Sequence, residues 1–310
     1  MNARSLRLVL SFLLLTTVPA FAQDSLYYQL NEVVYAHKYG MGLTMFVQKP
    51  QHPNGKGIIS IVSGNWVSNY KAVPQFAEHS KPLLDAGYTV FLTMHGSSPM
   101  FAIPEAADDI KRAVQFVRYN ASTYGIDPDH IGITGTSSGG HLSLLIGTSD
   151  DIRNPASKDP VERMSSRVQA VAVFAPPSDF LNWGNVNINP VTMKPLLARM
   201  GLLGAFDFKQ YDSTKFVYTT VEDNNRIIDI ARSMSPAQLV TSDDAPTYIM
   251  HGDKDIVVPL QQSESFRDKM EAAKVPVILT IKPGAGHGWK TMDDDKQEFI
   301  KWFDKYLRQK

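Results

Sequence analysis

A serine, an acid and a histidine stand in three glycine-bearing stretches of this chain, in an order suited to acyl transfer. Ser137 lies in Gly135-Thr136-Ser137-Ser138-Gly139, after an apolar run that reads as a buried strand and before a segment that reads as a helix. A G-x-S-x-G run between strand and helix presents the serine oxygen on a sharp, strained turn, and its small flanking residues let the two elements approach. Asp255 lies in His251-Gly252-Asp253-Lys254-Asp255 and His287 in Gly284-Ala285-Gly286-His287-Gly288-Trp289, each just past another apolar run. Three coordinated matches are much harder to reach by accident than one. A serine hydroxyl is a weak nucleophile at neutral pH and needs a base within hydrogen-bond reach. The pattern assigns Ser137 as nucleophile and His287 as base, later the proton donor to the leaving group. Asp255 would fix the tautomer of His287 and stabilise its imidazolium. Asp253 and Asp179 stay open as rival acids.

The negative oxygen that develops on an attacked carbonyl needs backbone N–H groups aimed at it. One belongs to Ser138, the residue after the nucleophile, and others to the loop Val62-Ser63-Gly64-Asn65-Trp66. Trp66 and Trp289 flank that loop and the histidine, where they wall an aromatic or sugar subsite or else belong to the core. His95 follows a strand and either lines the same pocket or is solvated. His37, His52, His79 and His130 are scattered without metal-ligand spacing. His141 and His251 read as structural packing residues, and Asp293-Asp294-Asp295 as a solvated helix N-terminus. Neither a metal nor a cofactor is expected.

The elements that must position these residues follow from apolar periodicity. Segments 58–62, 89–94, 131–134, 170–174, 247–250 and 277–281 read as buried, mostly parallel strands. Between the second and third, 105–119 carries Ile110, Ala113, Val114 and Val117 at helical spacing, with Pro104 at its start. Segments 263–273 and 296–307 are further amphipathic helices. Alternating strands and helices predict an α/β chain with a doubly wound, mostly parallel sheet and ligands beyond the carboxyl ends of the strands. The interval 178–232 breaks this rhythm with Asn182, Asn185, Asn187 and Asn189, then an apolar patch containing Leu196, Leu197, Met200, Leu202, Leu203, Phe206 and Phe208. It reads either as a small helical cap beside the serine or as an ordinary crossover helix with a surface loop.

Lys plus Arg and Asp plus Glu number 31 each, so the net charge is zero and nothing in it favours nucleic acid. No cysteine is present, which excludes disulfides and lipid attachment at a thiol. Arg4 and Arg7 precede an apolar stretch at 8–15, and Ala20-Phe21-Ala22 is an A-x-A-like cleavage site. The stretch is too short for a lasting membrane span. Residues 1–22 are therefore expected to be a secretory signal peptide. Residues 23–310 would then form one domain, exported to the periplasm or the medium.

From about Tyr28 to its end, the chain resembles the α/β-hydrolase superfamily, and within it small esterases of the feruloyl-esterase-like and acetyl-xylan-esterase-like kind. The resemblance is carried by Pro104 to Ile110, by Tyr124-Gly125-Ile126-Asp127-Pro128, by the serine turn ending Gly139-Gly140-His141-Leu142, by Ser235-Pro236 and by the stretch around Asp255. It implies an α/β-hydrolase fold and a serine carboxylic-ester hydrolase acting on a small-molecule or carbohydrate ester. Its pattern H-G-x-x-D selects Asp255, leaving Asp253 structural and Asp179 a turn cap. Related esterases usually carry H-G-G-G-W in the loop after the first of these strands. Here only Gly64 and Trp66 match, and the resemblance implies an oxyanion hole formed by Gly64, Asn65 and Ser138. Asparagine tolerates a positive φ better than most residues. A prolyl-oligopeptidase-type peptidase and a non-catalytic binding protein on the same fold are the alternatives.

Overall fold

Every run read as a buried strand belongs to one eight-stranded sheet in the computed structural model, which describes residues 30–185 and 188–308. The expected leader at 1–22 and Asn187 lie outside the described residues. The first half contains β1 (Asn31–Lys38), β2 (Met41–Gln48), β3 (Gly57–Ile61), α1 (Val73–His79), α2 (Lys81–Asp85), β4 (Thr89–Thr93), α3 (Ile103–Tyr119), α4 (Ala121–Tyr124), β5 (Ile131–Thr136) and α5 (Ser138–Gly147). The second half contains β6 (Ala170–Phe174), α6 (Lys194–Arg199), β7 (Lys209–Asp212), β8 (Val217–Thr220), α7 (Asn224–Ser233) and α8 (Pro236–Leu239). It ends with β9 (Thr247–Gly252), α9 (Gln261–Ala272), β10 (Val277–Lys282) and α10 (Met292–Leu307). The sheet order is β1-β2-β4-β3-β5-β6-β9-β10, with the β1–β2 and β2–β4 pairings antiparallel and the remaining pairings parallel.

Burial explains why the central strands read as continuous apolar runs. Every residue of β3, β4, β6 and β9 is buried, because helices cover both faces of the sheet. Side chains alternate between the two layers: Ile59 and Ile61 join Ile110, Val114, Leu142 and Phe266 on one side. On the other, Ile58, Leu92 and Met250 join Leu84, Phe299 and Phe303. Helix α3 buries Ile103, Ala107, Ile110, Val114 and Val117 as one stripe, and Glu105 accepts the Ala102 amide at 3.0 Å in its first turn. The edge strand β1 is exposed or half-buried instead, with Tyr35 its one buried residue, and the Tyr39-Gly40 turn into β2 has φ of 49° and 79°. Two successive positive φ values are the geometry of a tight two-residue hairpin loop.

The interval 178–232 is not purely helical. It holds α6 and most of α7, but also the antiparallel hairpin β7–β8, whose Tyr211, Phe216 and Tyr218 are exposed. The β propensity of Tyr-, Thr- and Val-bearing segments prevails there over a helical reading. Of the apolar patch, Leu197, Phe206 and Phe208 are buried, and Phe206 packs edge-on against Trp66 and Phe180.

Candidate active site

The turn that carries Ser137 is built by glycine. Ser137 has φ 54° and ψ −121°, its N–H donates to the Phe174 carbonyl at 2.9 Å, and its carbonyl accepts the His141 N–H at 2.8 Å. A non-glycine residue in that region is strained, and the surrounding bonds hold it there. A Cβ at Gly135 would collide with the backbone of Gly139, so strand and helix meet this closely only with glycine at that position.

Three loops at the carboxyl ends of parallel strands converge here, as the doubly wound topology requires. Ser137 follows β5, Asp255 follows β9 and His287 follows β10. The Ser137 Oγ lies 2.9 Å from His287 Nε2, and His287 Nδ1 lies 2.7 Å from Asp255 Oδ2. A carboxylate only accepts, so Nδ1 carries the proton and Nε2 accepts from the serine hydroxyl. The Asp255 side chain has no exposed surface, whereas that of His287 is 26 % exposed. Oδ1 of Asp255 accepts the amides of Val257 and Val258 at 2.8 and 2.9 Å.

His251, read from the sequence as a packing residue, also touches this carboxylate, at 3.2 Å through Nε2. The same nitrogen donates to the Val258 carbonyl at 3.0 Å, while Nδ1 accepts from Ser263 Oγ at 2.6 Å. Burial depresses the His251 pKa, opposed by its bonds to Val258 and Asp255. Four donors thus converge on the two oxygens of one buried carboxylate. The i, i+4 spacing of His251 and Asp255 in the sequence was the available signal for this contact. The rival acids are occupied elsewhere. Asp253 accepts the Gly284 amide at 2.7 Å, and Asp179 binds the Leu181 amide and the side chains of Asn182 and Gln238. At Gly252, a Cβ would collide with the Ala285 and Gly286 carbonyls, so the end of β9 presses directly on the loop that carries His287.

The loop after β3 departs from its expected form at one donor. Gly64 N–H is consumed by the Val67 carbonyl at 3.0 Å, and Val67 N–H returns to the Gly64 carbonyl at 2.9 Å. Asn65 and Trp66 between them have φ of 52° and 57°, a two-residue turn closed on itself. Gly64 is therefore no oxyanion donor. Among the described residues, the amides of Asn65 and Ser138 have no acceptor within the protein, and Ser138 opens α5, where the first amides lack intrahelical partners.

Two expected pocket residues are interior instead. Trp66 and His95 are each 4 % exposed. The Trp66 indole donates to His141 Nδ1 at 3.0 Å, and the His141 Nε2–H donates to the Met234 carbonyl at 2.7 Å. An indole N–H must find an acceptor when buried, and the histidine inside α5 supplies it. His95 Nε2 lies 2.9 Å from Ser63 Oγ, beneath the loop. Trp289, by contrast, adjoins His287 along a cavity of about 400 Å³ with Phe76, Phe174 and Met292. Its indole is fixed at 2.6 Å by Asp295, so part of the acidic run is an anchor and not merely solvated. Asp295 is half-buried, which opposes its charge, yet bonds from Trp289 and Lys282 hold its pKa below the ordinary range. Asp293 likewise accepts from His79 at 2.8 Å and Lys296 at 2.6 Å, tying α1 to α10 beside this cavity. A second cavity of about 320 Å³ runs along Ser63, Gly64 and Val67 and shares Phe76 with the first.

The geometry agrees with what known proteins resemble this one. The BD-FAE family model matches residues 43–270. Esterase LipQ of Mycobacterium tuberculosis is 30% identical over 75% of this chain and 50% of its own length. Probable carboxylic ester hydrolase LipM of the same organism is 28% identical over 75% of this chain and 49% of its own. The chain thus spans about half the length of the curated relatives it matches. A solved structure of a truncated carbohydrate esterase from gut microbiota is 28% identical and superposes with a TM-score of 0.70, covering 90% of this chain and 98% of that one. With an eight-stranded α/β-hydrolase sheet and a family match over most of its length, the chain belongs to the BD-FAE family.

Proposed function

We propose that the protein is a serine carboxylic-ester hydrolase in which Ser137, His287 and Asp255 are the catalytic residues. The carrying observation is the hydrogen-bonded chain at 2.9 and 2.7 Å from a strained serine to a fully buried carboxylate. Ser137 Oγ attacks the ester carbonyl carbon while its proton passes to His287 Nε2. The carbonyl oxygen becomes an oxyanion, for which the free amides of Asn65 and Ser138 are the available donors. Collapse of this intermediate breaks the bond to the alcohol, whose oxygen takes the proton from His287, and the acyl group stays on Ser137. Water repeats the sequence and releases the acid. Because His287 protonates the leaving oxygen, the alcohol departs on its side, where the cavity beside Trp289, Phe174 and Phe76 lies.

An acylated carbohydrate as substrate is supported by the similarity to the gut carbohydrate esterase and by the aromatic wall of this cavity. Export is supported by the composition of residues 1–22. Acetate release from acetylated xylo-oligosaccharides, set against glycerol triacetate, tests the carbohydrate reading; preference for the glycerol ester contradicts it. The N-terminal sequence of protein recovered outside the cytoplasm should begin at Gln23. An intact Met1 there would contradict removal of the leader.

A further inference from the structure

The two arms of the proposed oxyanion hole come from distant parts of the chain. Asn65 sits on the self-closed turn after β3, and Ser138 opens α5 after β5. Between them runs a line of buried polar groups that the reaction as described does not use. Ser138 Oγ lies 3.1 Å from Ser63 Oγ, and Ser63 Oγ lies 2.9 Å from His95 Nε2. His95 Nδ1 lies 2.8 Å from the Gly96 carbonyl. Beyond it, Gly96 N–H donates to Asp109 Oδ2 at 2.8 Å, and Asp109 pairs with Lys38 at 2.8 Å.

The direction of every proton in this line is forced. A carbonyl only accepts, so His95 carries its proton on Nδ1 and its Nε2 accepts. Ser63 must donate to that nitrogen, which leaves its lone pairs to accept from Ser138. Ser138, Ser63 and His95 are 1 %, 7 % and 4 % exposed, so water does not compete for these bonds. Burial also lowers the His95 pKa to about 4, which keeps the ring neutral and able to accept at neutral pH. Each hydroxyl therefore has one satisfied arrangement, and Ser138 is held to the residue next to the Gly64–Val67 turn.

We propose that Ser63 and His95 are positioning residues that lock the Ser138 amide against the loop bearing Asn65, so that both donors face one oxyanion. The inference rests on the serine-esterase reading above. Loss of one oxyanion donor costs about 10²- to 10³-fold in turnover, and loosening one without removing it should cost about tenfold.

The test compares the parent with Ser63→Ala, Ser138→Ala, the double variant, His95→Leu and His95→Gln, the last retaining an acceptor for Ser63. Turnover of p-nitrophenyl acetate is measured per active site, counted by stoichiometric labelling with a serine-reactive phosphonate. That count removes any loss from misfolded protein. Each single alanine variant should lower kcat per site about tenfold with KM within about twofold, and the double variant should be no slower than the slower single. His95→Gln should recover most of what His95→Leu loses. Singles within twofold of the parent, or a double variant whose losses multiply, would overturn the proposal. A parent that takes phosphonate but turns over no ester would overturn the esterase reading instead. The same pattern should then appear in the phosphonylation rate of Ser137, and its absence there would overturn the positioning role as well. A parent that is neither labelled nor active would remove both.

Discussion

Replacing Asp255 with asparagine changes one atom of the carboxylate and should nearly abolish turnover. Its Oδ1 accepts two backbone amides, from Val257 and Val258, so the amide oxygen of an asparagine is drawn to that side. The amide nitrogen is then left in the place of Oδ2, 2.7 Å from His287 Nδ1. An NH₂ group there only donates, which obliges Nδ1 to accept and moves the ring proton to Nε2. Nε2 now points a proton at Ser137 and is no longer a base. In a serine–histidine–aspartate arrangement a wrong tautomer of this kind costs about 10⁴-fold, or about 5.5 kcal/mol of transition-state stabilisation. The assay is kcat on p-nitrophenyl butyrate from pH 6 to 9, with circular dichroism to confirm the fold. Asp179→Asn is the matched control. It sets an amide against the Leu181, Asn182 and Gln238 donors and should cost about 1–3 kcal/mol of stability with kcat within about threefold. Retention of more than a tenth of parental turnover by Asp255→Asn, or a larger kinetic loss in Asp179→Asn, would refute the assignment of the acid.

Three further outcomes follow from the same geometry. Gly252→Ala should push the Ala285–Gly286 backbone and with it His287, lowering kcat about 100-fold while the sheet still folds; unchanged kcat would show that the loop accommodates a Cβ without moving the base. His95 and His141 are buried neutral, and burial brings each from the usual 6.5 to about 4. The unfolded chain takes up these protons near pH 6.5 and the folded chain only near pH 4, so their contribution is full above about pH 6.5 and is lost as pH falls toward 4. The slope reaches about 1.4 kcal/mol per pH unit for each histidine, and urea midpoints that stay flat from pH 7 to 5 would contradict it. Met292→Trp should narrow the cavity beside His287 and raise KM for p-nitrophenyl acetate more than for methyl acetate; equal changes would place the alcohol elsewhere.

The parts legible in the sequence are those whose chemistry is local. Strands β3, β4, β6 and β9 are covered on both faces, so each reads as an unbroken apolar run. The serine turn was legible because a tight strand-to-helix approach demands glycine at fixed offsets. The β1–β2 hairpin was not, since β1 is an edge strand with Tyr35 as its one buried residue and carries a weak signal; only Tyr39-Gly40 marked its turn. The burial of His95 is not legible locally, because nothing in its own neighbourhood names Ser63, which reaches it through the pairing of β3 with β4. The loss of Gly64 as a donor is hidden from the sequence because its closing bond to Val67 depends on two successive positive φ values, one at a tryptophan, a residue type that rarely adopts them.

The central claim is that Ser137 is the nucleophile of an ester hydrolase. Hydrolysis of p-nitrophenyl acetate and butyrate by the parent and by Ser137→Ala, with both proteins shown to be folded, tests it most directly. Turnover in the parent should fall to background in the variant. Equal turnover in the two proteins would contradict it.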